Sequence, residues 1–254
     1  MCGRYASTKD PAALAAEFAA TDATGRAGHA ADYNVAPTKD VPAVVQRHPR
    51  DSAGEPDQWR TERSLRLMRW GLVPKWAKDP KIGNRMINAK AETVTGKPAF
   101  RSAVRSRRCL LPADGWYEWR RDADGKQPFF MTCPDGSSLA LAGIWETWRD
   151  PADAADAAPL VTCSVLTTSA IGPLAEVHER MPLVLPNASW ESWLDPDRAD
   201  VDELLAPSRE VVDALELRPV SPAVNNVRNN GAELLAPVAD PVDPVALDHA
   251  RDSG

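Results

Sequence analysis

Residues 109–148, CLLPADGWYEWRRDADGKQPFFMTCPDGSSLALAGIWETW, hold four short apolar runs separated by turn-forming residues. The runs CLLPA, GWYEWR, PFFMT and LALAGIWETW carry the aromatic and aliphatic side chains of half-buried strands. DADG, between Trp119 and Phe129, has the composition of a hairpin turn. Four strands in succession with no helix between them exclude a βαβ rhythm. The expected class is α+β: a single domain on a curved, mostly antiparallel β-sheet or open barrel with a few peripheral helices.

Towards the N-terminus, VPAVVQR and LRLMRWGLV read as further strands, joined by a polar hairpin loop from His48 to Gln58. Pro11 to Ala20 reads as a short helix with Asp10 as N-cap and proline in its first turn. Thr21 to Ala31 reads as a loop, YNVAPT as a turn and Lys97 to Ser106 as a helix with its arginines outward. Towards the C-terminus, PADAADAAP reads as a solvent loop and VTCSVLTT as a buried strand. SAIGPLAEVHE reads as a short helix delivering His178, and MPLVLP as another strand. Trp190 to Ala206 reads as helical, with Trp190 and Trp193 as packing residues, and LRPVS returns to the sheet. The domain is expected over residues 2–237, with 238–254 a disordered acidic tail.

The 254 residues carry a net charge of −6, which taken alone argues against nucleic acid. The distribution argues otherwise: Arg60 to Arg108 holds 14 Lys or Arg against 3 acids, and Pro186 to Gly254 holds 5 against 14. Phosphate binding responds to local potential, so a basic segment offset by an acidic tail can still present a positive groove. A solvated basic face is the plainer reading of charge alone. The first residues lack the apolar core of a signal peptide, and no apolar run is long enough to span a bilayer. A cytoplasmic location is expected, nucleoid-associated when bound to DNA. Cys2, Cys109, Cys133 and Cys163 show no CxxC spacing, and with His29 and His48 they form no zinc-like pattern. Cys109 and Cys163 read as core residues, and neither metal nor cofactor is expected.

The chemistry concentrates at MCGR. Once Met1 is removed, Cys2 presents an α-amine of pKa about 8 beside a thiol of pKa about 8.5. An aldehyde would form an imine with that amine, and the thiol would close a five-membered thiazolidine. Glu118 lies in ADGWYEW, where alternation puts Trp116 and Glu118 on one face and Tyr117 and Trp119 on the other. A carboxyl beside tryptophan should be desolvated and its pKa raised towards neutrality, as acid–base work requires. His178, in VHERMPLVLP, titrates in the useful range, and Asn88, in MINAKAET, offers an amide for a hydroxyl or oxyanion. Each also has an ordinary reading: an exposed strand Glu, a helix-end His, a turn-forming Asn.

In combination these segments resemble the SRAP family, the SOS-response-associated peptidases or abasic-site processing proteins. MCGRY, YNVAPT, RWGLVPKWA, INAKAET, FRSAVRSRRCLLPADGWYEW, LAGIWETW, TTSA, VHERMPLVLP and NNVRNNGAEL fall in family order. The resemblance implies that Cys2 forms a thiazolidine with the ring-opened sugar of an abasic site in single-stranded DNA, shielding the strand from breakage. It implies Asn88 and His178 as supports for that cross-link, and Glu118 in removal of Met1, imine chemistry and slow reversal. Thr167 would line the same pocket. Arg4, Asn34, Pro37, Trp70, Lys75, Trp76 and Lys90 would face DNA, with Arg4 and Lys90 gripping phosphate and Trp70 and Trp76 stacking bases. Trp70 reads equally well as ordinary core packing. Lys90 departs from the frequent Arg and keeps the charge without the bidentate fork. The partner would be DNA alone, with no membrane, and the protein a monomer. The alternatives are an N-terminal-nucleophile amidohydrolase, because class II glutamine amidotransferases also begin with MCG, or a non-catalytic reader of single-stranded or modified DNA.

Overall fold

The computed structural model describes residues 2–25, 30–52, 54–122, 125–150, 152, 154 and 157–238. The expected acidic tail therefore lies, from residue 239, outside the described residues, as do residues 123 and 124 of the DADG turn and parts of 151–156. Among the described residues, thirteen strands and five short α-helices run in the order β1 (Tyr5–Ser7), α1 (Pro11–Glu17), β2 (Thr21–Asp22), β3 (Asp32–Val35), β4 (Asp40–Arg47), β5 (Glu62–Trp70), β6 (Asn88–Lys90), α2 (Arg101–Ser106) and β7 (Arg108–Ala113). They continue as β8 (Gly115–Asp122), β9 (Gly125–Thr132), β10 (Leu139–Trp148), β11 (Leu160–Ser169), α3 (Leu174–Val177), β12 (Arg180–Pro182), α4 (Asn187–Leu194), α5 (Arg209–Asp213) and β13 (Glu216–Pro219).

The strands form two sheets. The smaller runs β13-β9-β8-β1-β3 and the larger β12-β11-β10-β7-β4-β5-β2, with β6 added beside β11. Pairing is mostly antiparallel, and a parallel contact of β11 with β5, Cys163 opposite Trp70, closes β5-β4-β7-β10-β11 into a ring. One face of the larger sheet (Val41, Val45, Met68, Leu111, Val165) packs with Tyr5, Trp116 and Met131 of the smaller one. The other face is covered by Leu14 and Phe18 near α1, Val104 of α2 and Trp193 of α4.

The strand runs of 109–148 fold as expected, because their alternation gives each strand two distinct faces and their turns are short. Helix α1 starts where Asp10 accepts hydrogen bonds from the N–H groups of Ala12 and Ala13. Four local readings are corrected. Tyr33, Asn34 and Val35 of YNVAPT lie in β3, since the partner β1 supplies ladder bonds that local turn propensity does not foresee. Thr21 and Asp22 pair in parallel with Ser64 and Leu65 instead of looping. Helix α2 begins only at Arg101, and α4 ends at Leu194, with a 3₁₀ turn at 202–204. Trp190 and Trp193 do pack, Trp190 stacked on Phe18 at 4.5 Å and Trp193 fully buried.

One close approach matters for the site. A Cβ on Gly71 would stand 2.7 Å from the carbonyl oxygen of Gly83, and Gly71 has φ +129°, a conformation that side chains disfavour. Two glycines thus let the backbone after β5 press against the turn before β6. Bonds from Leu72 N–H to the Met86 carbonyl (3.1 Å) and from Trp70 Nε1 to the Ile87 carbonyl (2.9 Å) complete that seam. It sets the position of the next residue, Asn88.

Candidate functional site

Cys2 enters the larger core cluster at the start of the chain and is fully buried, beside Trp70, Trp116 and Cys163 in the same cluster. Strand β1 lies along β8, with Tyr5 opposite Trp116 and the Tyr117 N–H bonded to the Arg4 carbonyl at 2.9 Å. That register carries the residues just before β1 towards Glu118. From the other side, β6 runs parallel to β11, and Asn88 Nδ2 donates to the Cys2 carbonyl oxygen at 2.8 Å. A side-chain amide therefore holds the backbone of the candidate nucleophile in place.

Glu118 is 3% exposed, and burial raises its carboxyl from the ordinary 4.5 to about 7. The alternation expected from ADGWYEW holds: Trp116 shares the Cys2 cluster, while Tyr117 and Trp119 pack in a separate one with Phe130 and Val220. Burial, and then the charge of Glu118, push the Cys2 thiol far above its ordinary range, so it is a neutral thiol at pH 7. His178 caps α3, which packs against β8. Its Nδ1 lies 2.9 Å from the Arg180 N–H and 3.1 Å from the Arg180 carbonyl oxygen, which fixes the ring against the start of β12. Burial lowers its pKa from 6.5, so the ring is neutral near pH 7. Thr167 is buried on β11, opposite Lys90 of β6 and Pro182 of β12. Among the described residues, no three His, Cys, Asp or Glu gather as a metal site, and no helix is long and apolar enough to cross a membrane.

The family model for the SOS response associated peptidases (SRAP) matches residues 1–227. The chain belongs to the SRAP family. Among relatives, it is 34% identical over 239 residues to "Abasic site processing protein YoqW" of Bacillus subtilis, covering 92% of this chain and 99% of that one. It is 31% identical over 275 residues to "Abasic site processing protein HMCES" of Gallus gallus, covering 94% of this chain and 78% of that one. A crystal structure of a Bacteroides thetaiotaomicron protein shares the fold, with a TM-score of 0.77 at 21% identity over 94% of this chain and all of that one.

Within this SRAP chain, the residues expected to face DNA divide. Trp76 is 60% exposed, next to exposed Lys75, and Lys90 is exposed on β6. Pro37 is half-buried, before Thr38, whose φ of +75° marks a sharp corner. Trp70 is a correction: it is fully buried, its ring 5.2 Å from that of Tyr5, and it supports the strand bearing Asn88 from beneath. Asn34 is another. It is fully buried, and its Nδ2 donates to the carbonyls of Val224, Asn226 and Asn229 at 3.3, 3.1 and 3.0 Å. It organises the NNVRNNG loop rather than a ligand. Arg4 is half-buried, its Nη1 donating to Asn34 Oδ1 at 2.6 Å and to the Val224 carbonyl at 2.9 Å.

The basic segment is likewise dispersed. Arg63 pairs with Glu191, Arg107 pairs with Glu146 at 2.8 Å, and Arg108 is buried beneath α4. Sequence reasoning missed one pair altogether. Arg180 grips Glu92 with two bonds of 2.7 and 2.9 Å and also donates to the Thr167 carbonyl at 2.5 Å. That fork holds the Glu92 carboxyl at about 2 and ties the segments after Asn88 and His178 to β11. Opposite charges two residues after His178 and four after Asn88 were the only signal for it.

The exposed indole of Trp76 leads to a prediction. Trp76→Ala is expected to weaken single-stranded DNA binding about tenfold, the scale of one lost base–aromatic stack. Fluorescence anisotropy with an undamaged oligonucleotide checks it, and an unchanged Kd removes the stacking role.

Proposed function

We propose that this protein captures abasic sites in single-stranded DNA covalently, through Cys2 after removal of Met1. The observation that carries the reading is the hold on Cys2: its carbonyl bonded by Asn88 at 2.8 Å, beside a buried carboxyl that titrates at about 7. The names of the relatives point to the same lesion.

A neutral thiol is a poor first nucleophile, so the freed α-amine of Cys2 attacks the C1′ aldehyde of the ring-opened sugar. The carbinolamine loses water to give the imine. The Cys2 sulfur then adds to the imine carbon, its proton passes to nitrogen, and the thiazolidine closes with one water lost overall. Glu118, near half-ionised at neutral pH, takes and returns protons in these steps and in the hydrolysis that removes Met1. His178, a neutral imidazole, relays a proton from the C1′ hydroxyl to the sugar ring oxygen as the ring opens, and is itself unchanged at the end. Ring closure consumes the imine before β-elimination breaks the strand. Exposed Trp76, Lys75 and Lys90 hold neighbouring bases and phosphates, so binding is salt-sensitive and sequence-tolerant.

The test is the intact mass of the purified protein, alone and after mixing with an oligonucleotide bearing one abasic site. The expected masses are the chain lacking Met1, then that chain plus the oligonucleotide minus one water. Reversible binding with no mass gain overturns the covalent reading, and glutaminase activity without an adduct replaces it with an amidohydrolase.

The titration of Glu118 is checked separately. A carboxyl with a raised folded-state pKa contributes stability that is full below the unfolded value of 4.5 and lost as pH rises through about 7. Glu118→Gln removes that dependence. Relative to wild type, the variant should therefore gain about 3 kcal/mol between pH 4.5 and 8. Parallel stability–pH curves for the two proteins would show that Glu118 ionises normally.

A further inference from the structure

Arg47, Arg50 and Arg66 converge on a cavity of about 430 Å³ at the loop end of the β4–β5 hairpin. Among the described residues none of the three forms an ion pair, in a chain with 36 acidic residues. Glu62 also lines the cavity, but its carboxylate faces Arg60 at 3.3 Å. Arg63, a fourth arginine there, is spent on Glu191, Gln46 and the Phe18 carbonyl.

The three unpaired guanidinium groups are held by neutral partners. Arg47 sits over the Trp145 ring, 5.1 Å from its centroid, which uses its face and leaves its edge N–H donors for a ligand. Arg66 Nε donates to Ser64 Oγ at 2.9 Å, and Arg50 Nη1 to the Gly54 carbonyl. Burial and the repulsion of Arg66 and Arg50 lower the Arg47 pKa, the mark of positive charge without compensation. The same hairpin loop carries Trp59, 96% exposed. His48 Nδ1, 3.1 Å from the Asp57 carbonyl and 2.8 Å from that of Arg60, fixes the segment that bears it.

We propose that this hairpin end is a second nucleic-acid contact, in which Arg47, Arg50 and Arg66 take phosphodiester oxygens and Trp59 stacks a base of the strand flanking the lesion. It rests on the reading that the Cys2 site takes single-stranded DNA. Val41, Ala43 and Val45 face the Cys2 cluster, and by alternation Arg47 is on that same face of β4. Six residues of strand place it about 20 Å beyond Val41, so a strand must run for roughly six phosphates to engage both places.

The experiment compares undamaged single strands of about four nucleotides, too short to bridge the two places, and about twenty-four nucleotides by fluorescence anisotropy across a salt series. The double variant Arg50→Gln/Arg66→Gln alters two exposed side chains and leaves the Arg47–Trp145 contact intact. It should bind the long strand about tenfold more weakly, with a salt slope reduced by about 1.4, and the short strand as wild type does. Trp59→Ala should cost the long strand about fivefold and leave the slope unchanged. Unaltered affinity and slope for the long strand, or equal losses on both lengths, overturn the proposal. Inorganic phosphate filling the cavity, with the long strand unaffected by the variants, assigns it to a small anion and equally overturns it. Covalent capture of a short abasic strand is scored in the same proteins. Wild type failing to capture sinks the Cys2 reading and leaves the length comparison standing.

Discussion

Cys2→Ala is expected to lower the yield of heat-stable protein–DNA adduct by about three orders of magnitude or more, the scale on which removing a nucleophile acts. Alanine keeps the small side chain that permits Met1 removal, and it keeps the α-amine. The imine can therefore still form, but without sulfur there is no second bond to close the ring. The variant should change from a trap into a strand-cleaving catalyst: little adduct after heating, adduct recovered by borohydride reduction, and β-elimination products accumulating. Such a combination separates loss of the thiol from loss of folding, because a misfolded chain would give none of the three. A full yield of heat-stable adduct from Cys2→Ala refutes the mechanism.

The second large effect concerns stability. Arg108 is 3% exposed and, among the described residues, pairs with no carboxylate. Its guanidinium donates to the carbonyls of Val104 (2.8 Å), Arg105 (2.7 Å), Trp193 (2.5 Å), Arg198 (2.8 Å) and Asp195, and its carbon lies 5.8 Å from the Trp193 ring centroid. Two of these carbonyls belong to the last residues of α2 and two to the end of α4, where helices leave acceptors unsatisfied and concentrate negative potential. One fork thus caps two helices. Burial lowers its pKa to about 10, still fully charged at neutrality. Arg108→Met would strand those carbonyls, at about 3–5 kcal/mol, a fall in Tm of roughly 10 °C for a chain of this size. Lysine should rescue little, since three donors on one nitrogen cannot span the fork. A Tm within a couple of degrees of wild type would show that water replaces the lost donors.

These two residues also mark what could be read from sequence. Cys2 and Glu118 were legible because their signals are local: a small residue after Met1, and a carboxylate alternating with tryptophan. The four strands of 109–148 were legible for the same reason, as was α1 behind Asp10 and Pro11. Arg108 and Trp70 were not. In a string of letters Arg108 is one more charge in a basic run, and its burial depends on α4, some 80 residues later. Trp70 reads equally well as a stacking platform or a core residue until Tyr5 and Ile87 are seen to enclose it. Asn34 in β3 and the Glu92–Arg180 fork failed likewise, their partners lying 190 and 88 residues away. Local pattern supplies the candidate reactive groups; long-range pairing decides which neighbours hold them.

The closure of the strand ring between Trp70 and Cys163 has a bearing on timing. Ribosomes add roughly 5–20 residues per second, so β11 leaves the ribosome about 10–30 seconds after the N-terminus has emerged. Until then β6 has no neighbouring strand, and Cys163 and Val165 are missing from the cluster that buries Cys2. For that interval Cys2 is less enclosed than in the folded chain, where it is fully buried. Under the proposed removal of Met1, a slow translation schedule would lengthen that interval and a fast one shorten it, so codon choice ahead of residue 163 becomes a lever on how much of the protein leaves the ribosome already trimmed.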